Sequence, residues 1–287
     1  MISKNFSKIG KISVNINGDF DDEILLDKLK RIENLVNIVW IGEADFLRDP
    51  FQVAKLFLEN SEINVGFGIL RASNCGRIIK ELGRLNSDRI FVGLAHPRDK
   101  LVLDCIKRIK EKYRFPIFCG ATGRKNISIL SQVADGMLLN HISPKHVSWA
   151  IKFSKSDFNA AYGPALILPS EFEQDLVLAA AIVMGSSETF LKEMGYWDVY
   201  QEISKVDLFR LVDLRHKGDI THEKDYKILL KHRKTLLENF TLSGNFEVFV
   251  EKLKNVINLC DHVVLSDPFF REENFDKLLK KIKLFLI

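Results

Sequence analysis

Phe118–Asn140, FCGATGRKNISILSQVADGMLLN, decides how this chain is read. Apolar Phe118-Cys119 runs directly into Gly120-Ala-Thr-Gly-Arg124, and a helix pattern occupies Lys125–Ala134. Gly136–Asn140 is then a second apolar strand that ends on an asparagine. Two readings of the loop are open. It is a tight turn between strand and helix, or it cradles an anion, with Gly123 admitting a ligand to the backbone and the helix start attracting negative charge.

The same alternation extends both ways along the chain. Upstream, strands are predicted at Lys11–Ile16, Ile38–Ile41, Ile63–Leu70 and Arg89–Leu94, and the strand of the opening stretch starts at Pro116. Helix patterns separate them at Asp22–Leu35, Asp49–Asn60, Cys75–Leu85 and Asp99–Tyr113. Downstream come a helix at Pro144–Phe153, a strand at Ala160–Leu168 and a long helical region from about 174 to 240. A helix at Phe246–Leu259, a strand at His262–Leu265 and a closing helix at Asn274–Phe285 complete the chain. Eight short apolar strands, each followed by helix, form the pattern of an α/β (β/α)8 barrel whose parallel strands are buried on both faces. An open doubly wound sheet is the competing arrangement. No Pro/Gly/Ser-rich linker interrupts the pattern, so residues 1–287 read as one domain, with extra helices after strand seven.

Composition narrows the function. With 42 Lys and Arg against 38 Asp and Glu, evenly spread, the charge of +4 is too mild for a nucleic-acid partner. No apolar run reaches the ~18 residues of a membrane span, and Met1–Lys8 lacks the apolar centre of a signal peptide, so a cytoplasmic protein is expected. Cys75, Cys105, Cys119 and Cys260 lie far apart without a Cys-x-x-Cys, which argues against a disulfide framework or a zinc site, and no metal is expected. Few glutamines among many Lys, Glu and Ile suggest a heat-adapted source.

A barrel places its site at the C-terminal strand ends. There the sequence offers Asn15 and Asn17, Glu43 and Asp45, Gly68, Arg71 and Ser73, His96, Thr122 and Arg124, Asn140 and His141, and Ser266 and Asp267. Glu43 and His96 are the candidates for handling protons. Gly66-Phe-Gly68 is no dinucleotide fingerprint, because Arg71 stands where the third glycine belongs.

These pieces, in this order, resemble the luciferase-like superfamily, and most of all the methylenetetrahydromethanopterin reductases that use the deazaflavin coenzyme F420. The likeness is densest over Pro116–Ile151, where Pro116-Ile-Phe-Cys-Gly-Ala-Thr-Gly123, Ala134-Asp-Gly-Met-Leu-Leu-Asn140 and Ser143-Pro144 resemble that family's strand-loop, following strand and helix start. Val39-Trp-Ile41, Val65-Gly-Phe-Gly68 and Leu265-Ser-Asp-Pro268 add shorter matches. The resemblance implies an oxidoreductase that passes a hydride between a deazaflavin or flavin (coenzyme F420 or FMN) and a small-molecule substrate. It implies coenzyme contacts at Gly66, Gly68, Gly120, Ala121, Thr122, Gly123, Arg124 and Asn140. It also implies a homodimer, for which the helix over Pro50–Leu58, rich in Phe51, Val53, Ala54, Leu56, Phe57 and Leu58, has apolar surface to spare. Departures are equally specific. The family's Asp-His after strand two is Glu43-Ala44, its Gly-Val-Thr-Asn-Pro is Gly68-Ile-Leu-Arg-Ala72, and its strand-four to strand-five excursion is shortened. The alternative is therefore a non-catalytic relative that has lost the coenzyme and keeps the barrel for ligand binding or assembly.

Overall fold

The structure, a computed structural model, describes Phe6 and residues 9–286. The leader reading of Met1–Lys8 lies outside the described residues, Phe6 apart. Seven strands run β1 (Ile12–Asn15), β2 (Ile38–Ile41), β3 (Asn64–Arg71), β4 (Ile90–Ala95), β5 (Ile117–Ala121), β6 (Gly136–Leu139) and β7 (Asn159–Ile167). After them, β8 (Leu242–Gly244) pairs outside the ring with Ala165–Ile167 at the end of β7. β9 (His262–Ser266) pairs with both β7 and β1, all parallel, so eight strands close on themselves and the open-sheet alternative is excluded.

Helices alternate with the strands: α1 (Asp22–Ile32), α2 (Pro50–Asn60), α3 (Cys75–Leu85), α4 (Asp99–Lys110), α5 (Arg124–Leu130) and α6 (Pro144–Ile151). The long helical region resolves into α7 (Glu173–Met184), α8 (Glu188–Glu193), α9 (Trp197–Ile203), α10 (Leu208–Arg215), α11 (Lys224–Lys231) and α12 (Arg233–Phe240). α13 (Phe246–Ile257) and α14 (Phe275–Phe285) close the chain. The link from β4 to β5 is α4 and one short turn, as the sequence indicates. Gly195, with φ of +75°, ends the turn after α8, a conformation that costs glycine nothing.

The barrel interior is filled by side chains that alternate inward: Ile38, Trp40, Phe91, Phe118, Leu138, Phe158 and Val264. Gly66 is required there, since a Cβ would stand 2.4 Å from the Trp40 ring. A polar chain crosses this core. Trp40 Nε1–H donates to Ser13 Oγ (3.0 Å), Ser13 lies 2.6 Å from His262 Nε2, and His262 Nδ1 is 2.8 Å from the Gly10 carbonyl. A carbonyl only accepts, so Nδ1 carries the proton and Nε2 accepts from Ser13, which satisfies a fully buried neutral imidazole.

One expectation changes and another gains detail. Phe51, Val53, Ala54 and Phe57 of α2 are buried against the protein's own barrel, with Leu56 and Leu58 half-buried beside them. Pro50 and the Asp49 side chain, which accepts from Phe51 N–H at 3.0 Å, start the helix so that this stripe turns inward. Cys75 and Cys105 form a disulfide, with Cα atoms 5.5 Å apart. They sit on α3 and α4, neighbours in the barrel but 30 residues apart in sequence, so no local motif announces the pair.

Candidate functional site

A cavity of about 770 Å3 opens over the C-terminal ends of β3 to β7. Its size is that of a small-ligand or cofactor site. The register explains its floor. Arg71 pairs with Ala95, and Gly120 with Leu138, so Ile69, Ala95, Gly120 and Leu138 lie side by side across four strands. Tyr162, on β7, completes this apolar shelf. Its phenol is half-buried and hydrogen-bonded to Ser266, and desolvation pushes its ionisation well above the ordinary tyrosine value. Tyr162 is thus a neutral hydroxyl at the cavity floor.

The glycines divide by cause. A Cβ at Gly68 would stand 2.7 Å from the Tyr162 ring, and one at Gly120 would stand 2.9 Å from Ile69. Packing within the chain explains both. Gly123 is different: nothing lies within 4 Å of the Cβ it lacks, and its φ of −88° is open to any residue. The chain's own packing does not ask for glycine there, and the space beside it belongs to the cavity rim. The Gly68–Ile69 peptide is cis, at a register shift in β3.

The rim is fastened to the helices after β7. Thr122 Oγ1 donates to the Ser186 carbonyl, and Ser186–Thr189 form the facing wall. Arg124, the first residue of α5, lies 3.5 Å from Glu193 Oε1 and over the Phe153 ring, while Trp149 Nε1–H donates to the other Glu193 oxygen at 2.7 Å. The lining over the ends of β3 and β4 carries Arg71, Ser73 and His96.

The structure therefore brings Gly68, His96, Gly120, Ala121, Thr122, Gly123, Arg124 and Asn140 around one cavity. Glu43 and Gly66 do not line it. Glu43 Oε2 accepts from the backbone N–H of Arg71 at 2.6 Å, and Gly66 lies beneath Trp40. Asn15, Asn17 and Ser266 form a network that closes the barrel mouth over β1, β2 and β9. Asn15 Nδ2 donates to Asn17 (2.8 Å) and to the Trp40 carbonyl (3.0 Å), and Ser266 donates to Asn15 (3.3 Å). This pushes the cavity off centre, toward β3–β7. Tyr162 and Ser186–Thr189 were not foreseen. A lone phenol in the small-residue strand Ala160-Ala-Tyr-Gly163, and the serine pair after Gly185, were the available signals. Among the described residues no cluster of His, Cys, Asp and Glu could hold a metal ion, and no helix is long and apolar enough to cross a membrane.

No protein-family model matches the chain, and no curated protein matches it by sequence. Solved structures do match by fold. The coenzyme F420-dependent tetrahydromethanopterin reductase from Methanopyrus kandleri superposes with a TM-score of 0.71 at 16% identity, over 95% of this chain and 96% of that one. An F420-dependent secondary alcohol dehydrogenase in complex with an F420-acetone adduct gives 0.61 at 10% identity, over 95% and 97%. EDTA monooxygenase from Chelativorans sp. BNC1 gives 0.59 at 10% identity, over 96% and 94%. The chain is a (β/α)8 barrel that shares the fold of these proteins along nearly its whole length. At these identities the likeness establishes the fold, and function has to be argued from the cavity.

Proposed function

We propose that the protein is an oxidoreductase of the luciferase-like class that holds a deazaflavin or flavin coenzyme in the β3–β7 cavity and acts on a small molecule. One observation carries this reading: an apolar shelf ends at a rim whose glycine, Gly123, is not required by the chain's own packing. The lining fits a ligand with a flat apolar part and an anionic part. Ile69, Leu138 and Tyr162 would bear the flat part, while the N–H groups beside Gly123 and the Arg124 side chain would face the anion. Two fold relatives are described as F420-dependent, which supports the same class of coenzyme. Such a coenzyme supplies the hydride chemistry itself. The chain's share is to orient two ligands against each other and to exclude water, which demands few acid–base groups.

A second reading, a non-catalytic ligand-binding protein, is favoured by the position of Glu43. This candidate for proton handling accepts from the Arg71 backbone and is not part of the cavity lining. Titration of coenzyme F420 and of FMN, followed by absorbance and tryptophan quenching, tests the first reading. Gly123→Asp adds bulk and like charge at the rim and should weaken coenzyme binding about ten-fold or more, because ~1.4 kcal/mol is a factor of ten. Equal affinity in wild type and variant would remove Gly123 from the site.

A further inference from the structure

The cavity has a second polar group, over the ends of β3 and β4, that the coenzyme reading leaves unused. Arg71 stands there on the last position of β3. Its backbone is fixed independently of its side chain, through the 2.6 Å hydrogen bond from its N–H to Glu43. One arm of the guanidinium, Nη1, meets Asp45 Oδ1 at 2.8 Å, but the two side chains are 46% and 87% exposed. An ion pair so open to water is weak and readily exchanges Asp45 for another oxyanion. His96, beyond the neighbouring strand β4, lines the same region. Its Nδ1 accepts from Arg98 N–H at 3.0 Å, so the neutral ring carries its proton on Nε2, a donor. The Ser73 hydroxyl adds a third donor. Glu188, the acidic residue of the lining, belongs to the Ser186–Thr189 wall.

We propose that Arg71, His96 and Ser73 form an oxyanion site for the second ligand of the cavity, a small molecule that carries a carboxylate or a phosphate. That this anion belongs to the substrate, with the coenzyme's own anion at the Gly123 rim, rests on the reading above. The guanidinium fork matches either group through two parallel hydrogen bonds. A substrate anchored here would lie beside the Ile69 shelf and face any planar ring held on it.

The test is an NMR titration of oxalate and of inorganic phosphate, read on the His96 Cε1–H resonance in wild type, Arg71→Ala, Asp45→Asn and Gly123→Asp. Coenzyme F420 is titrated separately into each protein. Arg71→Ala should weaken the tighter anion about ten-fold or more, and Asp45→Asn, which removes the competing carboxylate, should tighten it about three-fold. Gly123→Asp should leave the anion response in place. Tighter oxalate marks the substrate as a carboxylate, and tighter phosphate marks it as a phosphate ester. Equal anion affinity in wild type and Arg71→Ala overturns the site. So does an anion response lost to the same degree in Gly123→Asp. If no protein binds coenzyme F420 while the Arg71 dependence persists, the coenzyme reading fails and the oxyanion site stands.

Discussion

Mild acid should destabilise this protein steeply. The imidazoles of His141, His146 and His262 are buried, with 0%, 1% and 0% of their surface exposed. Burial holds His141 and His262 down to about 4, and His146 well below 6.5. His141 and His146 lie ring against ring, centroids 4.2 Å apart, under Phe190, and neither nitrogen of His146 has a partner. Their like charges, with that of Lys145, would oppose protonation further. Once unfolded, each ring returns to an ordinary value near 6.5. The folded values are depressed, so below pH 6.5 the unfolded chain takes up protons that the fold refuses. Stability is therefore complete above about pH 6.5 and falls with acid, by about 1.4 kcal/mol per pH unit for each histidine. From about pH 6.5 to about pH 5 that is roughly 2 kcal/mol per group, and about 6 kcal/mol for the three as an upper bound. Domains of ordinary stability have only about 5–15 kcal/mol in total. Burial raises Asp19 and Asp175, which act in the opposite sense as the pH approaches the carboxylate range, so the comparison is kept above it. Urea unfolding at several pH values between about 7.5 and about 5 should show a loss of at least about 3 kcal/mol. His146→Gln should flatten the slope. A change below about 1 kcal/mol over that range would refute the assignment of three neutral buried histidines.

Other outcomes follow from single contacts. Phe190→Ala removes a fully buried ring that packs on His146 and Trp149, and should cost about 3–5 kcal/mol in chemical denaturation, loosening the Ser186–Thr189 wall first in hydrogen exchange. Tyr162→Phe deletes one hydroxyl hydrogen-bonded to Ser266 and should cost about 1 kcal/mol while shifting coenzyme affinity; an unchanged affinity would take Tyr162 out of the site. Reducing the Cys75–Cys105 bridge, which closes a loop of 30 residues, should lower stability by about 2–4 kcal/mol, read as the difference in unfolding with and without reductant. Because Thr-Asn of the family motif is replaced here by Leu70-Arg71, the coenzyme should bind weakly and the protein should purify colourless, which a visible spectrum checks directly.

Residues that carry a local signal were legible in the sequence. Strands such as Ile38–Ile41 are continuous apolar runs that only a doubly covered parallel sheet can bury, and they appear where the pattern puts them. Gly120–Arg124 was legible as the junction between a strand and a helix, and it joins β5 to α5. What escaped depends on contacts distant in the chain. Glu43 ends a strand, as a catalytic carboxylate would, yet its partner is a backbone N–H 28 residues away. Gly66 and Gly123 look alike in sequence, but one yields to Trp40 and the other to open space. Tyr162 faces the cavity because it stands one residue past the Ala161–Leu139 pair, at the level where β6 ends, which its local composition does not reveal. The α2 stripe looked wider than a core-facing face; the packed barrel buries Phe51, Val53, Ala54 and Phe57 and leaves Leu56 and Leu58 half-buried.

The most direct test of the central claim is a crystal structure of the protein grown with coenzyme F420. The account predicts electron density in the β3–β7 cavity, with an anionic group against the Gly123–Arg124 backbone and the ring on Ile69, Leu138 and Tyr162. A coenzyme bound elsewhere on the barrel, or a cavity that stays empty at saturating coenzyme, would contradict it.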